Sequence, residues 1–288
     1  MILIDYSAIA VSTIVAQNMA VEEDLVRHMI LNNIRLYTKK YRPVFGQTVI
    51  CVDAAHNWRR DVFPEYKFKR KDSREKSKLD WVELYRIIDM VLQELRDFTN
   101  YPIVKVDRCE ADDVIGELAR YTHQDETNFF GDYDPVMIIS GDKDFAQLQV
   151  MDNVKQYSNM TKKMIEDKTP SLNLVEMILR GDTSDGVPNC LSANDCFATG
   201  TRQTTLSAKK LKVLMEDPKA YGDDIYNNIL RNKRMIDLAE TPEDLKLEII
   251  NTFIEERKTN AAVKDKSALL EYLISKRCRL LIECIEDF

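Results

Sequence analysis

The feature that most constrains the fold is a set of short β-branched runs, two of them ending on aspartate, that alternate with long amphipathic stretches. Met1 to Asp5 (MILID) and Thr48 to Asp53 (TVICVD) both close on a carboxylate, and Tyr101 to Val106 and Pro135 to Ile139 are similar apolar runs. Between them, Glu22 to Tyr41, Asp80 to Phe98 and Glu110 to Tyr121 carry apolar residues at helical spacing, as in Trp81, Leu84, Ile88, Val91, Leu92 and Leu95. Strands alternating with helices of this length predict an α/β fold, a mostly parallel central sheet flanked by helices. Ligands of such sheets bind at the carboxyl ends of the strands, where these aspartates fall.

After about Asp182 the pattern changes. Leu206 to Met215, Asp223 to Leu238, Pro242 to Lys258 and Lys266 to Leu281 are helical candidates with no convincing strand between them, and Asn189 to Thr205 is a polar connection without periodicity. The expected organisation is an α/β domain over 1–180 and a smaller helical, duplex-binding lobe over 181–288, which 288 residues accommodate.

Several classes are excluded cheaply. The longest apolar stretch, Ile9 to Ala16, is broken by Ser12 and Thr13 and is too short to span a bilayer. The first sixteen residues lack a basic start and contain Asp5, so no secretory leader is expected and the protein is placed in the cytoplasm. Six cysteines form no CxxC pair and three histidines are scattered, which speaks against structural zinc and histidine catalysis. There is no GxxxxGK[ST], GxGxxG or GxSxG. Carboxylates must carry any chemistry.

Nine of them stand at strand ends and helix starts: Asp5, Asp53, then Glu110, Asp112 and Asp113 in Glu-Ala-Asp-Asp, Asp142 and Asp144 in Ser-Gly-Asp-Lys-Asp, and Asp182 and Asp185 in Gly-Asp-Thr-Ser-Asp. Most have an ordinary structural explanation when taken alone, as a helix cap or a partner of the helix dipole, but Asp5, inside an apolar strand, is costly to bury unless something cationic meets it. Together, on one rim, they would repel and raise one another's pKa unless a cation sat among them. Hard divalent ions with oxygen ligands fit, Mg²⁺ in particular, and two ions about 4 Å apart suit displacement at phosphorus.

The formal net charge of −7 conceals a basic tract. Trp58 to Lys78 holds nine Lys or Arg against four acids, interleaved with aromatics, and Cys196 to Met215 adds Arg202, Lys209, Lys210 and Lys212 with no acid. Basic patches on an acidic body suit a polyanionic substrate, although a solvated face is the plainer explanation of either tract alone.

The order of these segments resembles the flap endonuclease and 5′-nuclease family. The likeness rests on the two strand-ending aspartates, Arg59 with Pro64-Glu65-Tyr66-Lys67 and Arg70, and the three later acidic motifs. Trp58-Arg59-Arg60-Asp61, Val154-Lys155-Gln156-Tyr157-Ser158 and the Glu-Asp-Phe ending resemble its phage branch, the ribonucleases H of T-even bacteriophages. The resemblance implies a Mg²⁺-dependent 5′ to 3′ exonuclease and flap endonuclease acting on RNA/DNA hybrids and on forked, flapped or nicked duplex DNA. It would remove RNA primers during replication, as a monomer in the host cytoplasm, with single-strand-binding protein and sliding clamp as partners.

By the same carry-over, Asp5, Asp53, Glu110, Asp112, Asp113 and Asp142 would surround one Mg²⁺, and Asp144, Asp182 and Asp185 would hold a second. Asp142 and Asp144, with Arg59 and Lys67 of a basic arch over about 56–80, would be catalytic. Arg59, Arg60, Lys67, Lys69 and Arg70 would meet nucleic acid from the arch. The family's glycine-rich hairpin after Gly-Asp-x-x-Asp is replaced here by Val187-Pro188-Asn189-Cys190-Leu191 and Ala193-Asn194-Asp195, which leaves its monovalent-ion site an open question and would shift the duplex grip to Arg202, Lys209, Lys210 and Lys212. The first strand begins at Met1, so no N-terminal partner-binding tail is expected. Two other readings are a nucleic-acid binder without catalysis, which gains nothing from carboxylates facing phosphates, and a phosphotransferase using Asp5, which would want an acid where Ser7 stands.

Overall fold

The computed structural model describes residues 1–17, 21–123, 134–260 and 266–288. Six strands form one sheet: β1 (Ile2–Asp5), β2 (Thr48–Cys51), β3 (Ile103–Val104), β4 (Val136–Ile139), β5 (Val154–Ser158) and β6 (Lys163–Ile165), in the order β3-β2-β1-β4-β5-β6. Neighbours from β3 through β5 pair in parallel and only β6 is antiparallel. The strand order reverses between β1 and β4, the switch point at which a crevice opens beyond the carboxyl ends. Asp5 ends one of those strands, and Ser140 and Asp142 follow the other.

The central strands are buried throughout because helices cover both faces, which is why they read as continuous apolar runs. Side chains alternate: Ile2 and Ile4 enter one core with α1 (Tyr6–Gln17), α2 (Glu23–Phe45) and α5 (Trp81–Phe98), and Leu3 enters the other with α6 (Ala111–His123). Asp80 caps α5 by accepting the Glu83 N–H at 3.0 Å, and Thr99 closes it with both its N–H and its hydroxyl on Leu95 O. Two short helices, α3 (Trp58–Val62) and α4 (Lys69–Glu75), lie in the basic tract.

The part after residue 181 is helical, as expected: α7 (Pro170–Arg180) leads into α8 (Ala208–Glu216), α9 (Asp223–Ile236), α10 (Glu243–Thr259), α11 (Lys266–Ser275) and α12 (Arg279–Ile282). It does not keep a core of its own. Leu238, Leu245, Ile249 and Phe253 pack with Val114 and Leu118 on one face of the sheet, and Leu269 and Leu273 pack with Leu84 and Val91 on the other. Glu256 of α10 accepts the Ile103 N–H at 3.3 Å, covering the edge of a strand that pairs over two residues rather than the six expected. The helix expected over 266–281 breaks after Ser275, where Arg277 takes φ 56°. Five of the six cysteines are buried and none is paired. Among the described residues no helix is long and apolar enough to cross a membrane.

Candidate active site

The rim at the switch point is built from β1 and β4. Asp5 is buried at the end of β1, where Oδ1 accepts the Ala8 N–H at 2.9 Å and Oδ2 accepts the Ser140 hydroxyl at 2.9 Å. Ser140 Oγ in turn accepts the Asp142 N–H at 3.2 Å, and Asp142 Oδ1 accepts the Asp144 N–H at 3.0 Å, starting the short helical segment Lys143–Val150. Asp53, just past β2, accepts the Ala111 N–H at 2.9 Å and so joins the second strand end to the start of α6. Burial and then the charge of Asp53 push the Asp5 carboxyl up to about 7. Burial, then Asp142, Asp182 and Asp185, bring Asp144 up to about 7 as well, and its Oδ1 is buried without a hydrogen-bond partner. Asp112, half-buried on α6, is raised well above the usual range by burial, with Glu110, Asp142 and Asp5 adding to the rise and Lys67 opposing it.

The other acids of the motif set have partners. Asp113 is 1% exposed and fully engaged: Oδ2 accepts from Arg59 Nη1 at 3.0 Å and from the Glu110 N–H at 2.9 Å, and Oδ1 accepts from Trp58 Nε1 at 3.3 Å and Thr241 Oγ1 at 2.9 Å. Burial works to raise this carboxyl, but Arg59 holds it below the usual range. Asp113 thus sits as an internal ion-pair partner, both of its oxygens already accepting hydrogen bonds. Arg59, expected on the arch, is 1% exposed, and its Nε donates to Met235 O at 3.0 Å. The cause is local: Asn57 caps α3 through the Arg59 N–H at 2.7 Å, and that start turns Trp58 and Arg59 inward together.

Glu110 and Asp185 meet the base of the arch. Lys67 is buried and donates to Glu110 Oε1 at 2.6 Å, with Asp185 Oδ2 at 3.5 Å. Tyr66 OH lies 2.9 Å from Glu110 Oε2 and 3.1 Å from Asp185 Oδ2, and Arg70 donates to Asp185 Oδ1 at 2.8 Å. Burial opposes ionisation of Glu110, yet Lys67 and Arg59 lower its pKa. The arch base is docked by a backbone bond from Lys67 N to Asp185 O at 2.7 Å, and it presses on Gly186, where a Cβ would sit 2.8 Å from Glu65 O and φ is +74°. Asp182 accepts from Lys143 Nζ at 2.8 Å and from the Ser184 N–H at 2.8 Å; burial opposes its ionisation, but these contacts lower its pKa.

The nine acids therefore divide by charge rather than by motif. Glu110, Asp113, Asp182 and Asp185 have basic partners, whereas Asp5, Asp53, Asp112, Asp142 and Asp144 have none within 4 Å among the described residues. The six-plus-three grouping expected from the sequence thus mixes acids with and without basic partners. As the side chains lie, no three Asp, Glu, His or Cys among the described residues close into a cage for an ion. The five unneutralised carboxylates still offer the hard oxygen donors that a divalent cation takes, and the orphaned Asp144 oxygen and the raised Asp5 and Asp144 carboxyls register the positive charge they call for.

The remaining predicted contacts spread over the surface. Arg60, Lys69, Arg70, Arg202, Lys209 and Lys212 are exposed and Lys210 is half-buried. Lys69 reaches across to the loop after Asp185, with its Nζ 4.8 Å from the centre of the Phe197 ring. In place of a glycine-rich hairpin, that loop is tied by Asn189, whose N–H donates to Gln203 Oε1 at 2.7 Å and whose side chain donates to Thr204 O at 2.9 Å. Arg180 and Arg202 line an open cavity of about 460 Å³ beside it. Sequence reasoning missed Ser140, Lys143 and Thr241. The first two lie inside the Ser-Gly-Asp-Lys-Asp motif, which was the available signal; Thr241 carries none.

The mostly parallel, doubly covered sheet thus gathers carboxylates without basic partners at its switch point, beside a basic tract, the setting of a metal-dependent hydrolase. A family model described as the 5′-3′ exonuclease N-terminal resolvase-like domain matches residues 2–173, and one described as T4 RNase H, C terminal, matches 168–288. The ribonuclease H of Enterobacteria phage T4 is 31% identical over 301 residues, 99% of this chain and 95% of that protein. The chain belongs to the 5′-3′ exonuclease family, and it is a nuclease. The fold agrees with that of bacteriophage T5 flap endonuclease in a complex with DNA and metal ions (TM-score 0.64, 14% identity, 89% of this chain and 98% of that one). It agrees also with T5 5′-exonuclease with divalent metal ions (zinc) bound (TM-score 0.62, 17% identity, 89% and 99%).

Proposed function

We propose that the protein is a Mg²⁺-dependent 5′ to 3′ exonuclease and flap endonuclease that cuts RNA/DNA hybrids and flapped or nicked duplex DNA, and that it removes RNA primers in replication. The observation that carries this reading is the group of five acids that, among the described residues, have no basic partner within 4 Å, Asp5, Asp53, Asp112, Asp142 and Asp144, around the β1/β4 switch point. They would hold the ions, two per site, with Asp182 and Asp185 reaching a second ion on release from Lys143 and Arg70. When bound, such ions neutralise phosphate charge and make the attacking water more acidic.

The chain's own groups do the rest. Lys67, held at Glu110, presents a fixed cation beside the rim, where preorganised charge is worth most as negative charge shifts onto phosphate oxygens. Arg59 keeps α6 in place and leaves phosphate to Arg60, Lys69 and Arg70, while Arg202, Lys209, Lys210 and Lys212 track the duplex backbone. Single-strand-binding protein, sliding clamp, a monomeric state and the host cytoplasm belong to the same reading by resemblance.

The test is incubation of a 5′-labelled nicked RNA/DNA hybrid and a 5′-flap duplex with the purified protein, in Mg²⁺ and in chelator. Short 5′ products from both substrates in Mg²⁺ alone are expected; products in chelator, or from neither substrate in Mg²⁺, would overturn the assignment.

A further inference from the structure

Gln156 occupies the middle of β5, level with Ile138 of β4 and Ile165 of β6. Its side chain is 0% exposed, two residues on from Val154, which belongs to the apolar core with Phe145 and Leu148. A leucine or methionine would fill such a place, since burying an amide without partners costs about 1–3 kcal/mol. Both amide protons are used on one target: Nε2 donates to Ser140 O at 3.1 Å and to Asp142 O at 2.6 Å. Turning the amide over would set Oε1 against two carbonyl oxygens, so these partners fix its orientation. Oε1 itself has no hydrogen-bond partner among the described residues. The chain thus keeps a buried group with an unsatisfied acceptor in order to hold two carbonyls of one turn.

That turn carries the rim. Gly141 stands between the two carbonyls, and a Cβ there would lie 3.2 Å from Ser158 Oγ, so the turn is pressed onto the end of β5 with little slack. Ser140 orients Asp5, its hydroxyl also receives the Asp142 N–H, and Asp142 receives the Asp144 N–H. We propose that Gln156 is a positioning residue of the active site, which sets the places of Asp5, Asp142 and Asp144 by clamping both sides of Gly141. It touches neither substrate nor reacting atoms. The inference rests on the reading that these acids hold divalent cations; groups that orient such ligands typically alter metal affinity or activity by about 10–100-fold when removed.

The experiment compares the wild type with Gln156→Met, which keeps the volume and removes the donors, and Gln156→Glu, which keeps the shape and sets an acceptor against the two carbonyls. Lys155→Ala, an exposed neighbour on the same strand, is the control. Mn²⁺ affinity is read from the free-ion electron paramagnetic resonance signal, single-turnover cleavage across a Mg²⁺ titration, and duplex affinity in chelator, all at a temperature where each protein is folded by circular dichroism. Both Gln156 variants are expected to bind Mn²⁺ about 10–100-fold more weakly, to cut slowly at limiting Mg²⁺ and to keep duplex affinity within about twofold, as expected when only acids near the phosphate move. Wild-type Mn²⁺ affinity in either folded variant would overturn the inference alone. A wild type that binds no Mn²⁺ would overturn the metal reading and the inference with it.

Discussion

Arg59 and Asp113 form a two-pronged ion pair inside the protein, with Nη1 3.0 Å from Oδ2 and Nη2 2.9 Å from Oδ1. Removing one partner of such a pair strands the other charge, which costs about 3–5 kcal/mol. Arg59→Ala and Asp113→Ala should each lower the unfolding free energy measured in urea by that amount, and added Mg²⁺ should not restore it. If Asp113→Ala kept wild-type stability and lost only cleavage, Asp113 would count as a metal ligand; the same outcome for Arg59→Ala would return Arg59 to the cations that meet phosphate.

Asp144→Asn should behave in the opposite sense. Its carboxyl is crowded by Asp142, Asp182 and Asp185, so neutralising it relieves repulsion and removes a cation ligand together. In chelator the variant should melt higher, by about 2–4 °C for each kcal/mol relieved. Cleavage should be nearly abolished with duplex binding within a few-fold. A melting point below that of the wild type in chelator would contradict the electrostatic account.

The arch should separate into two kinds of cation. Lys67 is buried against Glu110, and Lys67→Ala is expected to slow single-turnover cleavage about 100-fold, the scale of losing one preorganised donor. Lys76 and Lys78 are exposed. Their alanine variants should lose affinity a few-fold, with the slope of log affinity against log salt reduced by about 0.7–0.9 per lost phosphate contact. Cleavage at saturating enzyme should be unaffected in these two; equal kinetic losses at all three positions would mean a diffuse patch.

Calcium should support binding without cleavage. Ca²⁺ takes the same oxygens at longer distance and with looser geometry than Mg²⁺, so it neutralises the five acids without aligning an in-line attack. Gel-shift affinity in Ca²⁺ should match or exceed that in chelator while no product accumulates. Brisk cutting in Ca²⁺ with Mg²⁺ scavenged would count against the proposed mechanism.

The central strands were legible because burial on both faces demands β-branched residues, and the long helices because one apolar stripe must face the sheet. β5 was not read as a strand: Val154 to Ser158 mixes Lys155 and Gln156 into the run, and one of those polar residues points inward for a purpose that only its partners reveal. The short helices α3 and α4 are also unmarked by periodicity, being too brief to show one.

For the site, the residues and their order along the chain were determined by the sequence itself. A carboxylate at the end of an apolar strand is costly enough to announce itself, as at Asp5 and Asp53, and the later acidic motifs follow in recognisable order. What only the tertiary structure decided is which charges meet. Asp112 and Asp113 are adjacent in sequence, yet among the described residues one has no basic group within 4 Å and the other is locked to Arg59, because successive helical residues point about 100° apart. Arg59 and Lys67 look alike in a basic tract, yet one turns into the core and the other onto Glu110. Side-chain direction and the distance between opposite charges are properties of packing, and a list of residues does not contain them.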